Sequence, residues 1–242
     1  MPVQYSKNSI ISQLNPIFVL FLLYLSSNRF NLMNNSLSLK DAFSSAWTAF
    51  KTHMSTFVTV TFVFLVLGIL LGSVDRNHIY GPTASIINIF ISFLAAYVMI
   101  RLSLVASRGG VPLWKDALTI KWSEFGWYIF ASILTSLIQG IGFALLIIPG
   151  LYLITRLAIF NFALIDENLL PLDSIKRSWE LTRGHFWQMF LAGVIIVAIN
   201  IVGAMLFGVG ILVSSPLSFL FSAFIYDRLR NASMPALEEQ SA

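Results

Sequence analysis

Arg156 and Arg101 carry the most chemical consequence in this 242-residue chain, because each stands inside an apolar run. In "IIPGLYLITRLAIFNFALIDE", Arg156 follows Pro149 by seven positions, about 10 Å along a helix rising 1.5 Å per residue. A guanidinium at that depth in a bilayer costs about 2.5–3.5 kcal/mol on the insertion scale, so it must face the protein interior or water and meet a partner. The polar groups within reach of a membrane interior are neutral: Asn88, Thr135, Gln139, Asn161 and Asn200. Two uses follow. Arg156 clasps helices together through amide side chains and backbone carbonyls, or it joins Arg101 in holding an anion such as a lipid phosphate, which suits the planar guanidinium fork. In the second case Tyr152, Tyr97, Gln139 and Asn161 complete the anion- or lipid-binding candidates. Arg101 is close enough to a helix end to snorkel, and Arg228 is interfacial.

Other chemistry finds little footing. The chain has no cysteine, hence no disulfide and no thiolate. No HExxH, G-x-S-x-G or glycine-rich phosphate loop occurs, and no intramembrane carboxylate pair stands where acid/base work would need one. An enzyme is therefore not expected, nor a metal or cofactor. Asp166 and Glu167 read as a solvated turn after a helix end, and His53 and His185 as interfacial packing residues.

These residues must be positioned by membrane-spanning helices. Of the chain, 57% is hydrophobic and 11% charged, against roughly a quarter charged in a soluble domain. Four runs approach or exceed the roughly 20 residues that cross a bilayer: Met54 to Gly72, Ile86 to Ala106, Trp127 to Ile148 and Phe186 to Phe207. Leu151 to Ile165 and Ile211 to Tyr226 follow the tight breaks Pro149-Gly150 and Gly208 to Gly210. The fold class expected is an all-α membrane protein of six helices in three hairpins. Strands of a barrel would alternate apolar and polar residues, and "TFVFLVLGILLG" does not. "GILLG", Gly68 to Gly72, adds a possible close-packing motif. The formal charge of +4 does not signal nucleic acid. Ten of the basic residues (Lys40, Lys51, Arg108, Lys115, Lys121, Lys176, Arg177, Arg183, Arg228, Arg230) fall on one side of a six-helix topology and Arg76 on the other. That bias places both termini in the cytoplasm.

The hairpins are joined by a unit that recurs. "DAFSSAWTAFKTH", "DALTIKWSEFGWY" and "DSIKRSWELTRGH" each set Trp six positions after Asp: Asp41 with Trp47, Asp116 with Trp122, Asp173 with Trp179. Each hairpin then ends on an aromatic, three residues and Arg-Leu, in "YVMIRL", "YLITRL" and "FIYDRL". The repeats run about 37–108, 112–168 and 170–230, in parallel rather than inverted order. Leu39, Ala42, Phe43, Ala46, Trp47 and Phe50 keep helical spacing, as do Leu113, Ala117, Leu118, Trp122 and Phe125, and more sparsely Leu172, Ile175 and Trp179. Such stripes, with Lys or Arg opposite and Trp at the edge, fit helices lying among lipid headgroups or packed on the protein's own inner face. Arg183 belongs with these interfacial residues.

The segment from "IIPGLYLITRL" to "SWELTRGHFWQMF" resembles the YciC-like family of bacterial inner-membrane proteins, related to the membrane domain attached to some glycerophosphodiester phosphodiesterases. The shared pattern falls on Pro149, Gly150, Arg156, Asp166, Glu167, Ser178, Trp179, Leu181, Thr182, Arg183 and Gly184. The resemblance implies a six-helix inner-membrane protein with no established activity. The phosphodiesterase chemistry belongs to a separate soluble domain and does not transfer, although the link favours phospholipid headgroups as ligands.

The domain expected is 33–230, with 231–242 a disordered tail. Residues 1–32 stand outside it, either as an overrun before a true start at Met33 or as an interfacial helix, since their apolar core of about ten residues is too short to span. The function expected is a non-enzymatic protein that binds or organises membrane phospholipid, with a protein partner or a second copy as possible company. The alternative is a transporter of a small anionic or amphiphilic solute through a cavity lined by Arg156 and Arg101.

Overall fold

The structure is a computed structural model that describes residues 38–76, 82–113, 115, 119–206 and 210–241. Among the described residues the regular structure is helical: α1 (Leu39–Thr52), α2 (Met54–Arg76), α3 (Pro82–Ser107), α4 (Trp122–Leu145), α5 (Ile147–Arg156), α6 (Phe160–Asp166), α7 (Pro171–Leu181), α8 (Phe186–Met205) and α9 (Ile211–Ser241). Five segments are long and apolar enough to cross a bilayer: Met54–Gly72, Ser85–Ser107, Trp122–Leu145, Ile147–Asp166 and Phe186–Met205. This is a membrane protein. The sixth expected segment forms the first half of α9, whose apolar run meets Asp227 and Arg228 before it equals the others in length. α9 also continues through 231–241, which had been expected to be disordered. The calls on residues 1–32, Met33, Asp116 and Gly208 fall outside the described residues.

α2 packs with α3, α4 with α5, and α8 with α9. The outgoing legs bury little: 17% of Met54–Gly72 and of Phe186–Met205, against 44% of Ser85–Ser107 and of Ile147–Asp166. The return legs therefore make the centre. There Tyr97, Ile100, Leu102, Phe162, Leu164, Leu220, Phe221 and Tyr226 are fully buried, while Ile69, Leu137, Ile141 and Val202 present their side chains outward. Outward apolar residues cost nothing in lipid, and association there depends on close packing rather than on removal from water. Glycines supply it. A Cβ on Gly142 would run into Leu153 and the backbone of Gly150, and one on Gly203 would run into Ser214 and Gly210. The "GILLG" motif does not behave this way, since a Cβ on Gly72 would meet nothing within 4 Å.

Two local departures from the sequence reading matter. The turn of the second hairpin lies at Leu146, whose backbone is extended (φ −167°, ψ 152°), and not at Pro149-Gly150. Pro149 falls in the first turn of α5, where its missing N–H leaves no helical bond unmade. The return leg expected to run unbroken from Leu151 to Ile165 is also interrupted over 157–159, directly after Arg156.

The short helices lie against the protein. α1 buries Ala42, Ala46 and Phe50, and packs mainly on α9. α7 packs on α4 and α6, and its buried side is Pro171, Ser174, Ser178 and Leu181. The expected apolar stripe of α7 is the outer one: Leu172 and Trp179 are exposed and Ile175 is half-buried. Alongside Pro171 and Leu181, α7 turns the hydroxyls of Ser174 and Ser178 inward.

Candidate functional site

The break after Arg156 leaves that residue's carbonyl without a helical N–H, and no water is at hand inside a bilayer to replace it. α7 supplies the donors: Ser178 Oγ lies 3.0 Å and Thr182 Oγ1 3.1 Å from the Arg156 oxygen. The same helix covers the side chain. Arg156 is 2% exposed, with its guanidinium carbon 4.5 Å from the centre of the Trp179 ring and 5.9 Å from that of Tyr152. Tyr152 itself packs edge-on against Trp179 and stacks on Phe186. A guanidinium held between aromatic faces gains about 2 kcal/mol or more when desolvated.

The other two Arg-Leu residues make related contacts. Arg101 lies 5.8 Å from the Tyr97 ring and donates Nη1–H to the Thr119 carbonyl, just before α4. Tyr97 packs against Phe125 and Tyr128 of α4. Arg228 of α9 donates to the Ser38 carbonyl, 2.7 Å away, at the cap of α1. Each of the three thus engages the short segment that follows it in a closed order: hairpin one to the start of α4, hairpin two to α7, hairpin three back to α1. Arg156 and Arg101 accordingly meet different neighbours. Arg156 does not line a wet cavity, since its side chain is enclosed.

The remaining candidates disperse. Asn161 Oδ1 accepts from Phe162 N–H at 3.0 Å, and Gln139 is half-buried in α4. Asp41 and Asp173 stand in the first turns of α1 and α7, where a negative charge complements the helix dipole. The Asp41 N–H also donates to the Ser38 side chain, at 3.2 Å. The repeat Trp residues are outward-facing: Trp47 is 40%, Trp122 66% and Trp179 38% exposed. Exposed basic residues accompany them: Lys40 and Lys51 on α1, Lys115 and Lys121 before α4, Lys176 on α7 and Arg183 just beyond it.

A second cluster lies where the three hairpins end, and the sequence reading missed it. Asp166 is not a solvated turn residue, for its side chain is 7% exposed. It pairs with Arg108 at 2.7 Å and Arg230 at 3.3 Å, and accepts from Tyr226 Oη at 2.8 Å. Glu167 pairs with Arg177 at 3.0 Å and accepts from the same Tyr226 at 3.0 Å. Asp227 takes Arg108 at 2.9 Å and the Ser107 hydroxyl. The hydrogen bond to Asp166 raises the Arg108 pKa above the ordinary guanidinium value, so this residue stays charged. Three carboxylates and three arginines, from the ends of α3 and α6 and from α7 and α9, therefore neutralise one another in a single knot. Its signal was present as an acidic residue beside each of the last two hairpin ends, but the arginines had been counted only toward topology. Glu124, 6% exposed with Lys121 at 3.6 Å, was also missed. His185 Nδ1 lies 3.2 Å from the Arg183 carbonyl. His53 lines a recess of about 500 Å³ with Ser44, Ser45, Thr48 and Thr52 of α1 and Ser107 of α3. Among the described residues no group of His, Asp and Glu has the makings of a metal site.

The family model described as "Domain of unknown function (DUF7847)" matches residues 9–242. The chain belongs to this family. The DUF7847 match reaches back to residue 9, into the segment set outside the expected core. No curated protein and no solved structure matches the chain.

Proposed function

We propose that the protein is a non-enzymatic bacterial inner-membrane protein whose cytoplasmic collar of short helices binds and organises anionic phospholipid. In this reading the chain has six spans in three parallel repeats, both termini are cytoplasmic, and the DUF7847 domain serves envelope upkeep. The observation that carries it is the recurrence of outward-facing Trp with exposed Lys or Arg on each short segment. Lys40 and Lys115 stand seven positions before Trp47 and Trp122, while Lys51 and Arg183 stand four positions after Trp47 and Trp179. Trp favours the headgroup layer, and each Lys or Arg beside an anionic surface contributes about 1 kcal/mol. The buried Arg156 fits a scaffolding role, since its side chain stays enclosed, and in this reading the charges facing the lipid belong to other residues.

The test is native mass spectrometry of protein purified in mild detergent, comparing the wild type with a variant carrying Gln at Lys40, Lys51, Lys115, Lys121, Lys176 and Arg183. Wild type should retain anionic phospholipid, and the variant should lose at least about tenfold of it, with retention falling as salt rises. Equal retention by both proteins at low salt would refute the reading.

A further inference from the structure

A cleft of about 490 Å³ opens between hairpins one and two, on the half of the bundle away from the short helices. α3 forms its wall from Ser85 to Ala96, and Phe93 and Tyr128 close its inner end edge to face, with ring centres 6.2 Å apart. The eleven helical rises from Ser85 to Ala96 span about 16 Å, close to half of a hydrocarbon core about 30 Å thick. The cleft therefore extends over the depth of one leaflet.

Ser85, Asn88 and Ser92 form one polar helical stripe along its wall, and the rest of the lining, Leu71 and Ile89 included, is mostly apolar. Asn88 is half-buried, three residues or about 4.5 Å inside the start of the span, the level of lipid ester groups. Its amide oxygen faces Gly68, at ordinary van der Waals distance (3.8 Å) from where a Cβ there would sit. The contrast with Asn200 is informative. Asn200 donates its amide to the Ile196 carbonyl at 2.8 Å and to Ser218 Oγ at 2.9 Å, whereas no such bond engages the Asn88 side chain among the described residues. A polar amide at membrane depth must find a partner or sacrifice the hydrogen bonds it had in water. No charged side chain lines the cleft among the described residues.

We propose that this cleft seats one acyl chain of a diacyl lipid from the leaflet opposite the short helices, with the Asn88 amide donating N–H to that lipid's ester carbonyl. The site is separate from the collar and selects by depth and hydrogen bonding rather than by charge.

The experiment places the protein in phosphatidylcholine nanodiscs containing a small fraction of phosphatidylcholine with a diazirine midway along one chain. Illumination and peptide mapping then locate the adducts. Labelling should concentrate on the 85–96 segment, fall about two- to tenfold in Asn88→Leu, as loss of one hydrogen bond implies, and be retained in Asn88→Gln. A phosphatidylglycerol probe should label the same segment equally well. Ser92→Leu, which narrows the cleft without touching the amide, should also lower labelling and serves if Asn88→Leu fails to fold. Adducts spread evenly over outward residues such as Leu137 and Ile201, labelling unchanged in folded Asn88→Leu, or labelling by the anionic probe alone would each overturn the proposal.

Discussion

Replacing Ser178 and Thr182 separately and together measures what the interrupted return leg costs the bundle. The Arg156 carbonyl accepts from both hydroxyls, at 3.0 and 3.1 Å, but their protons are not equally committed. A hydroxyl donates once, and Thr182 Oγ1 lies closer to the Ser178 carbonyl, at 2.8 Å, than to that of Arg156. The Ser178 carbonyl already has the Thr182 backbone N–H at 3.1 Å, so it can release the Thr182 hydroxyl without being stranded. Ser178→Ala should thus be rescued by rotation of the Thr182 hydroxyl and cost about 0.5–1.5 kcal/mol, the worth of one net hydrogen bond. Thr182→Val, which preserves shape, should cost no more, because Ser178 still caps Arg156. With both changed, a buried carbonyl loses every hydroxyl donor from α7, and the cost should rise to about 3–4 kcal/mol, above the sum of the single changes by about 1 kcal/mol. Thermal unfolding in detergent, followed by tryptophan fluorescence, reads this as Tm losses of roughly 2–5 °C for each single change and 8–15 °C for the pair, at about 2–4 °C per kcal/mol for a chain of this size. Strict additivity, or a double variant within about 3 °C of wild type, would refute the claim that α7 exists to satisfy the break.

Asp166→Asn removes the charge that Arg108, Arg230 and Tyr226 share. Arg108 is 43% and Arg230 31% exposed, so solvent offsets part of the loss, and about 2 kcal/mol should be read as a Tm fall of roughly 4–8 °C. A double-mutant cycle with Arg108→Gln should return a coupling of at least about 0.5 kcal/mol, and zero coupling would contradict the geometry. Gly203→Ala forces a methyl into Ser214 and Gly210, whereas the same change at Gly72 meets open space. The first should cost about 1–3 kcal/mol, and the second should be neutral or slightly stabilising by Tm.

Much of the architecture was legible because a bilayer leaves a chain few options. Runs such as "TFVFLVLGILLG" cannot be anything but helix at membrane depth, and the Asp at the start of α1 and α7 marks a helix beginning in any solvent. The candidate site was legible only as a set of residue types. Arg156 was expected to need partners, and spacing could not say that Trp179 and Tyr152 stand against its guanidinium while Arg101 reaches Thr119. Periodicity left the apolar stripe of α7 open between lipid and protein because it ranks side chains by hydrophobicity alone, and it gave no sign that Ser178 and Thr182 are the residues that meet the broken helix. Asp166 and Glu167 were read as solvated because nothing in their own stretch reveals that Arg108 and Arg230 arrive from distant parts of the chain, or that Arg177 of α7, ten positions on, turns back to Glu167.

The sequence by itself determined the solvent, the helical class, the approximate ends of five spans and the recurrence of Asp-Trp and aromatic-Arg-Leu signatures, since each rests on composition or short-range spacing. Only the tertiary structure decided the interruption after Arg156, the closed order in which Arg101, Arg156 and Arg228 reach the next short segment, and the burial of Asp166. Those features depend on which backbone and charged groups meet across separations from 18 positions, as Arg101 meets Thr119, to 190, as Arg228 meets Ser38. In a bilayer every such polar group must find its partner inside the protein, and spacing along the chain does not say which partner that is.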